Sequence, residues 1–114
     1  MRSRSSRRAK ALAISEKVKD KVWERDCGVC VWCLLHGPRT GWPAFPEAHY
    51  IPRSNGGLGI EENILTLCRP CHDLYDFAPR AQREYMREIF RDYLSRCYKD
   101  WDESKLIYRK EGTE

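Results

Sequence analysis

Residues 46–76 read PEAHYIPRSNGGLGIEENILTLCRPCHDLYD and hold most of the residues with distinctive chemistry. The run 48–51, ended by Pro52, is typical of a short β-strand. The glycines at 56, 57 and 59 permit a wide turn and a close approach of another part of the backbone. Pro70 predicts the first turn of a helix that extends to about Phe77. The stretch therefore predicts a strand, a turn, a second apolar segment over 64–67 and a helix.

The flanking sequence predicts two further helices. Ser15 is a suitable N-cap for a helix that ends near Asp26. The clearest helical periodicity begins at Arg80 and extends to about Lys99. Residues 34–44 contain several helix breakers and predict a loop. Trp101, Leu106 and Tyr108 indicate that the tail folds back on the body.

The chain has the size of one small domain, with 114 residues. Hydrophobic residues make up 41% and charged residues 33%, as in ordinary globular proteins. We expect a basic flexible arm over residues 1–13, a single domain over 14–109 and a frayed tail over 110–114. A metal staple is a common supplement to a core of this size.

The net charge of +4 is concentrated at the start of the chain. Five of the 21 Lys and Arg residues lie within residues 1–10, which leaves 16 against 17 Asp and Glu elsewhere. Such arms, here with Arg7 and Arg8, often contact nucleic acid, and a solvated tail is the alternative. The long helix carries an arginine stripe with interleaved acids, which favours an ion-paired face over a phosphate-binding one: Arg80, Arg83, Arg87 and Arg91.

The sequence also restricts the compartment. No apolar run has the roughly 20 residues that cross a bilayer, and the basic N-terminus lacks the apolar segment of a secretory signal. We therefore expect a cytoplasmic protein. Thiols stay reduced there, so six cysteines indicate metal ligands rather than disulfides.

Two Cys-x-x-Cys pairs predict one closed tetrahedral zinc site with a structural role. The second pair is Cys68 and Cys71, and the first falls within the run CGVCVWC at 27–33. Either Cys27 with Cys30 or Cys30 with Cys33 has the required spacing. Cys97 is expected to be a core residue of the long helix.

Taken together, HYIPRSNGGLGIEENILTLCRPCH at 49–72 and WERDCGVCVWC at 23–33 resemble the HNH endonuclease family in its zinc-stapled form. The resemblance covers roughly residues 22–78 and is greatest to small phage and prophage members, some encoded near packaging genes. It implies an α+β fold with a small ββα-metal core, pinned by the four-cysteine zinc site and flanked by an N-terminal helix and a long C-terminal helix. It also favours Cys30 and Cys33 as the first zinc pair.

The resemblance implies a metal-dependent DNA endonuclease, with nicking as one form of cleavage. His49 would be the general base, Asn63 would orient it or lie near the metal, and His72 would bind a catalytic ion such as Mg²⁺ or Mn²⁺. Further DNA contacts are expected from Arg53 and Arg69 together with the arm.

The sequence departs from the family beside His49. Many members have an acidic or histidine metal ligand there, whereas this chain has Ala48. Glu47, on the same strand face as His49, and Asp76, four residues after His72, are the candidate replacements, with Asp76 preferred. The departure leaves an alternative: a zinc-pinned DNA-binding or phage packaging-assembly module with weak or no cleavage, whose partners would include packaging (terminase) proteins.

Overall fold

The computed structural model describes residues 6–37 and 39–109. The helices and strands in this part of the chain are α1 (Arg7–Leu12), α2 (Glu16–Arg25), α3 (Val31–His36), β1 (Ala44–His49), β2 (Ile64–Cys68), α4 (Arg69–Phe77) and α5 (Arg80–Cys97). Short 3-10 turns cover Arg53–Asn55, Glu61–Asn63 and Glu103–Leu106. The mixed α+β prediction is confirmed.

The two strands form an antiparallel ladder with one irregularity. Ala44 pairs with Cys68 and His49 with Ile64, and the register shifts by one residue between Phe45 and Ala48. Pro46 lies inside this bulge, where its missing N–H removes no ladder hydrogen bond. The predicted strand at 48–51 was therefore misplaced, because the bulge lets the strand begin before the proline, and it ends at His49.

The core lies between the sheet and the helices around it. Helices α2, α3 and α4 pack on the strands, and α5 packs on α4. Met86, Phe90 and Leu94 on α5 are fully buried, as the apolar periodicity of that helix predicts. The amphipathic spacing of the long helix thus decides which face closes the core.

A buried carboxylate joins three elements. Asp26, 3% exposed, follows α2 and forms an ion pair with Arg25. Its side chain accepts hydrogen bonds from the backbone N–H of Thr66 in β2, at 3.0 Å, and from the hydroxyl of Tyr93 in α5. Arg25 also donates to the carbonyl oxygen of Ile64 at 2.7 Å. The end of α2 is thereby attached to the sheet and to the long helix.

The turn after β1 is held by segments from both sides of the sequence. The N–H of Gly59 donates to the carbonyl of Ala11 at 2.9 Å, and the N–H of Leu58 donates to the carbonyl of Leu106 at 2.8 Å. Gly57 also forms an isolated antiparallel bridge with Ile107. The predicted fold-back of the tail is observed. We call residues 53–59 the glycine loop.

The predicted flexible arm differs from the structure where the chain is described. Residues 7–12 form helix α1, capped by Ser6, whose side chain accepts the N–H of Ala9 at 3.0 Å. Leu12 is 2% exposed, and burial of this apolar side chain holds the segment against the body despite the basic residues around it. Residues 1–5 and the expected frayed tail at 110–114 lie outside the described residues, and the domain limits stay a prediction.

Helix α3 occupies part of the segment predicted to be a loop. Cys30 caps it, since its sulfur accepts the N–H of Cys33, and Gly37 ends it at a φ of 59°. The other predicted helices are observed within two residues of their expected limits. In the described part of the chain, no helix has the length and apolar character needed to cross a membrane.

Candidate functional site

Four cysteine sulfurs converge at the junction of α3 and α4. Cys30, Cys33, Cys68 and Cys71 each place a sulfur within 4.8 Å of the other three. The Cys33 sulfur lies 3.9 Å from that of Cys68 and 3.7 Å from that of Cys71. A zinc ion with four Zn–S bonds of about 2.3 Å requires sulfur pairs about 3.8 Å apart. The spacing therefore fits a tetrahedral ion.

The electrostatics of the thiols also favour a bound cation. Burial raises the pKa of Cys30 and Cys71. Burial acts the same way on Cys68, but hydrogen bonds from Thr40 and from neighbouring thiols outweigh it and lower its pKa to about 7. The Thr40 hydroxyl lies 3.1 Å from the Cys68 sulfur. A dication would stabilise all four sulfurs as thiolates, which buried sulfur alone disfavours.

The structure resolves which cysteines form the cluster. Cys27 precedes it at a φ of 56° and is exposed, and Cys97 is also exposed. The pairing that remained open from spacing is thus Cys30 with Cys33. The expected burial of Cys97 in the core is wrong, because it occupies the last turn of α5, beyond the fully buried Leu94.

A second group of polar residues surrounds an open cavity of about 650 Å³ beside the C-terminal end of β1. The predicted residues His49, His72, Asp76, Glu47 and Arg53 all line it. Strand β1 contributes His49 and Glu47, helix α4 contributes His72 and Asp76, and the glycine loop contributes Arg53. The structure therefore brings together five residues that are up to 29 positions apart in sequence.

The orientation of His49 is fixed by a backbone carbonyl. Its Nε2 lies 2.9 Å from the carbonyl oxygen of Leu12, at the C-terminal end of α1. Because a carbonyl oxygen only accepts hydrogen bonds, Nε2 must carry the proton in the neutral ring. The lone pair of neutral His49 is therefore on Nδ1.

The surroundings of His49 favour its neutral form. Burial lowers its pKa below the ordinary 6.5, and the positive charge of Arg53 and the nearby His72 act in the same direction. The Leu12 carbonyl and Asp76 oppose this effect without cancelling it. An imidazole that is neutral at neutral pH can accept a proton.

His72 and Asp76 form a pair on one face of α4. Their Nε2 and Oδ2 atoms are 3.5 Å apart, and both side chains are partly exposed to the cavity. Glu47, by contrast, forms an ion pair with Lys19 at 3.5 Å. Ala48 is 1% exposed and packs in the core. Among the described residues, the four cysteines are the only group of three or more ligand side chains with metal-binding spacing.

Asn63 occupies a different position from the one expected. Its side chain is fully buried and bonds only to backbone groups of the turn: it accepts the N–H of Ile51 at 2.9 Å and donates to the carbonyls of Ile51 and Leu58 at 3.2 and 2.8 Å. These bonds tie Ile51, just before the glycine loop, to Leu58 near the end of the loop. The structure does not bring the Asn63 amide to His49 or to the cavity.

The arginines expected to contact DNA are spread over three elements. Arg53 is at the cavity, whereas Arg69 begins α4 and pairs with Asp73 at 2.9 Å. Arg7 and Arg8 are on α1, where Arg8 donates to the carbonyl of Arg53 at 3.3 Å. The stripe on α5 is largely ion-paired, with Arg87 and Arg91 both bound to Glu103 and Arg80 to Glu84.

The contribution of the N-terminal segment was missed from sequence. Ala13, Ile14 and Lys19 line the cavity, and Leu12 orients its histidine. The Ser/Arg-rich composition of residues 1–8 pointed to a tail, and the one usable signal was the apolar Leu12 close to Ser15. Ser54 was also missed, because a serine in a glycine-rich turn has no distinguishing pattern.

Comparison with known families supports the resemblance found from sequence. Residues 30–76 match the family model described as HNH endonuclease. The matched segment includes all four clustered cysteines together with His49, Asn63 and His72. The match covers the strand pair, nearly all of the following helix and the cysteine cluster. No curated protein and no solved structure matches the chain at a significant level.

Proposed function

With the HNH match over residues 30–76 as the premise, we propose that the chain is a metal-dependent DNA endonuclease that hydrolyses phosphodiester bonds. The observation that carries the proposal is the state of His49. Its Nε2 proton is held by the Leu12 carbonyl, its pKa is lowered, and it lines the cavity that also contains His72 and Asp76.

His49 is proposed to act through Nδ1 as the general base. It removes a proton from a water molecule, whose oxygen attacks phosphorus while the opposite P–O bond breaks. The resulting imidazolium keeps its Nε2–H hydrogen bond to the Leu12 carbonyl, which favours the charged ring. The burial that lowers the pKa of His49 favours release of the proton gained at Nδ1 to solvent, and the leaving oxygen takes up a proton from solvent, which regenerates the neutral base.

His72 and Asp76 are the proposed ligands of a divalent ion. An imidazole and a carboxylate 3.5 Å apart on one helix face fit Mn²⁺ or Mg²⁺, ions that take their remaining ligands from water and phosphate oxygens. The bound ion would supply charge neutralisation for the phosphate and its leaving oxygen. Glu47 is the weaker candidate because Lys19 already pairs with it.

Phosphate binding is proposed to involve Arg53, which lies at the cavity, with Arg7 and Arg8 of α1 as more distant contacts. Arg69 is proposed as a contact beyond the cavity, where Asp73 competes for it. Such contacts position DNA without reading its sequence. A single cavity with one base cuts one strand at a time, so nicked circles are the expected first product.

Cleavage of supercoiled plasmid tests this proposal. The wild-type chain with Mg²⁺ or Mn²⁺ should nick the plasmid, whereas His49→Ala and His72→Ala should lose at least about 10²-fold in rate. His36→Ala is the matched control, because His36 stacks on Trp32 away from the cavity. Intact plasmid with every ion and at every pH would contradict the proposal, and so would equal cutting by wild type and His49→Ala.

The position of Ala48 favours a second candidate, a zinc-pinned DNA-binding module with weak or no cleavage. Ala48 is buried and supplies no ligand, and His72 and Asp76 alone make a sparse metal site. Packaging (terminase) proteins remain a proposed partner class for this candidate. DNA binding in a gel-shift assay, without nicking under any metal condition, would favour it.

A further inference from the structure

We infer that Gly59 and helix α1 act together as the device that positions the base: Gly59 admits the α1 segment, and the segment's Leu12 carbonyl selects the tautomer of His49. The inference deepens the proposed function and rests on His49 being its base. Neither Gly59 nor any residue of α1 is a proposed base or metal ligand. Gly59 is therefore a positioning residue rather than a catalytic one.

Three contacts dock α1 beside His49. The Gly59 N–H donates to the Ala11 carbonyl, Arg8 donates to the Arg53 carbonyl, and Leu12 buries its side chain to 2% exposure. The last carbonyls of a helix lack partners within it. Here one of them, that of Leu12, accepts a hydrogen bond from Nε2–H of His49.

The close approach of α1 depends on the absence of a side chain at position 59. A Cβ atom there would lie 2.0 Å from the carbonyl oxygen of Ala13, 2.5 Å from its carbonyl carbon and 2.9 Å from the carbonyl oxygen of Leu12. All three atoms belong to the segment that ends α1. A methyl group at 59 therefore has to displace this segment, including the carbonyl that His49 uses.

Two other glycines, Gly57 and Gly41, do not share this role. At Gly57 a Cβ would collide with the Ile51 carbonyl at 1.7 Å, which would disrupt the loop itself. At Gly41, with a φ of 80°, a Cβ would meet nothing within 4 Å. Gly41→Ala thus adds the same methyl group, together with a backbone strain that Gly59→Ala does not have, while leaving α1 in place, which makes it a stringent control.

The test is the tautomer of His49 in full-length, zinc-loaded, ¹⁵N-labelled protein, measured from the ring nitrogen shifts at a pH where the ring is neutral. Wild type and Gly41→Ala should show a single Nε2–H form. Gly59→Ala should show a mixture of the two tautomers and cleave DNA about 10²-fold more slowly, with the KM for DNA unchanged. Retention of the single Nε2–H form in Gly59→Ala would overturn the inference.

A second variant keeps the test decisive if Gly59→Ala does not bind zinc. Leu12→Ala weakens the docking of α1 from its own side, without adding an atom to the glycine loop, and should give the same mixed tautomers. An unchanged single tautomer in Leu12→Ala would then overturn the inference. The tautomer readout needs no cleavage, whereas failure of the proposed function shows separately, as equal cutting by wild type and His49→Ala.

Discussion

At the residue scale, His49 is held in place by one backbone bond and kept neutral by its surroundings. The lowered pKa means that the ring is already a base at pH values below the ordinary 6.5 of histidine. Cleavage should therefore rise with pH through a midpoint below 6.5 and then level off at neutral pH. A pH profile of the nicking rate at saturating metal checks this prediction, and a midpoint above 7 would contradict it.

The same shift has a consequence for folding. A histidine whose pKa is lowered in the folded state binds its proton more readily in the unfolded chain. As the pH falls, protonation therefore stabilises the unfolded chain relative to the folded one. The contribution of His49 to the free energy of unfolding is thus complete above 6.5 and declines as the pH falls below that value. His49→Gln should flatten this part of the stability profile.

Asn63 illustrates a residue whose type was recognised but whose role differs. Asn63→Asp preserves size but replaces a donor by an oxygen facing the carbonyls of Ile51 and Leu58. Because a buried unsatisfied group costs about 1–3 kcal/mol and a charged one costs more, we expect the free energy of unfolding to fall by at least about that amount. Urea unfolding measures it. Wild-type stability together with lost cleavage would instead indicate a direct catalytic role.

At the scale of elements, the buried Asp26 connects α2, β2 and α5. Asp26→Asn would leave Arg25, whose side chain is only 12% exposed, without its counter-charge. Breaking a buried ion pair from one side costs about 3–5 kcal/mol. Urea unfolding in excess zinc should show this loss, whereas Asp20→Asn, an exposed change on the same helix, should leave stability within about 0.5 kcal/mol of wild type. Equal stabilities for the two variants would refute the connecting role.

Elements with strong local signals could be predicted from sequence. Helix α2 has its Ser15 cap, α5 has a regular apolar face, and α4 has Pro70 in its first turn. Helices α1 and α3 have six residues each, too short for periodicity to be read, and both depend on tertiary contacts. The start of β1 was missed because a proline inside a strand normally argues against one, and a bulge is a tertiary solution.

For the candidate site, the spacing of residues in the sequence could identify the candidate metal ligands and base, but not the backbone groups that hold them in position. The cysteine pairs and the two histidines stand out because few other functions need such residues at such intervals. The Leu12 carbonyl could not be predicted, since every residue has a carbonyl and only the docking of α1 makes this one special. The observed role of Asn63 could not be predicted for the same reason, because its hydrogen-bond partners are backbone groups.

At the scale of the whole molecule, the four-cysteine cluster ties α3 to the β2–α4 corner in a chain with a small core. Purified protein should contain one zinc ion per chain, measured after denaturation and chelation. Structural zinc contributes about 10–16 kcal/mol of apparent binding free energy, so Cys30→Ser should lose both the zinc and cooperative unfolding. Cys27→Ser is the control and should keep both, because Cys27 lies outside the cluster. Zinc-free protein that unfolds cooperatively would exclude the structural role.

The clamping of the glycine loop sets an order of events during synthesis. Chains leave the ribosome N-terminus first, at about 5–20 residues per second. The cysteine cluster can assemble once residue 71 has emerged, but Leu58 and Gly56 wait for the backbone partners that Leu106 and Tyr108 supply. Contacts between such distant positions form late, because the entropic cost of closing the long loop between them has to be met before the contacts stabilise the chain. A growing chain thus acquires its cysteine cluster well before the loop beside His49 is held from both sides, so the candidate site is completed later than the framework that carries it.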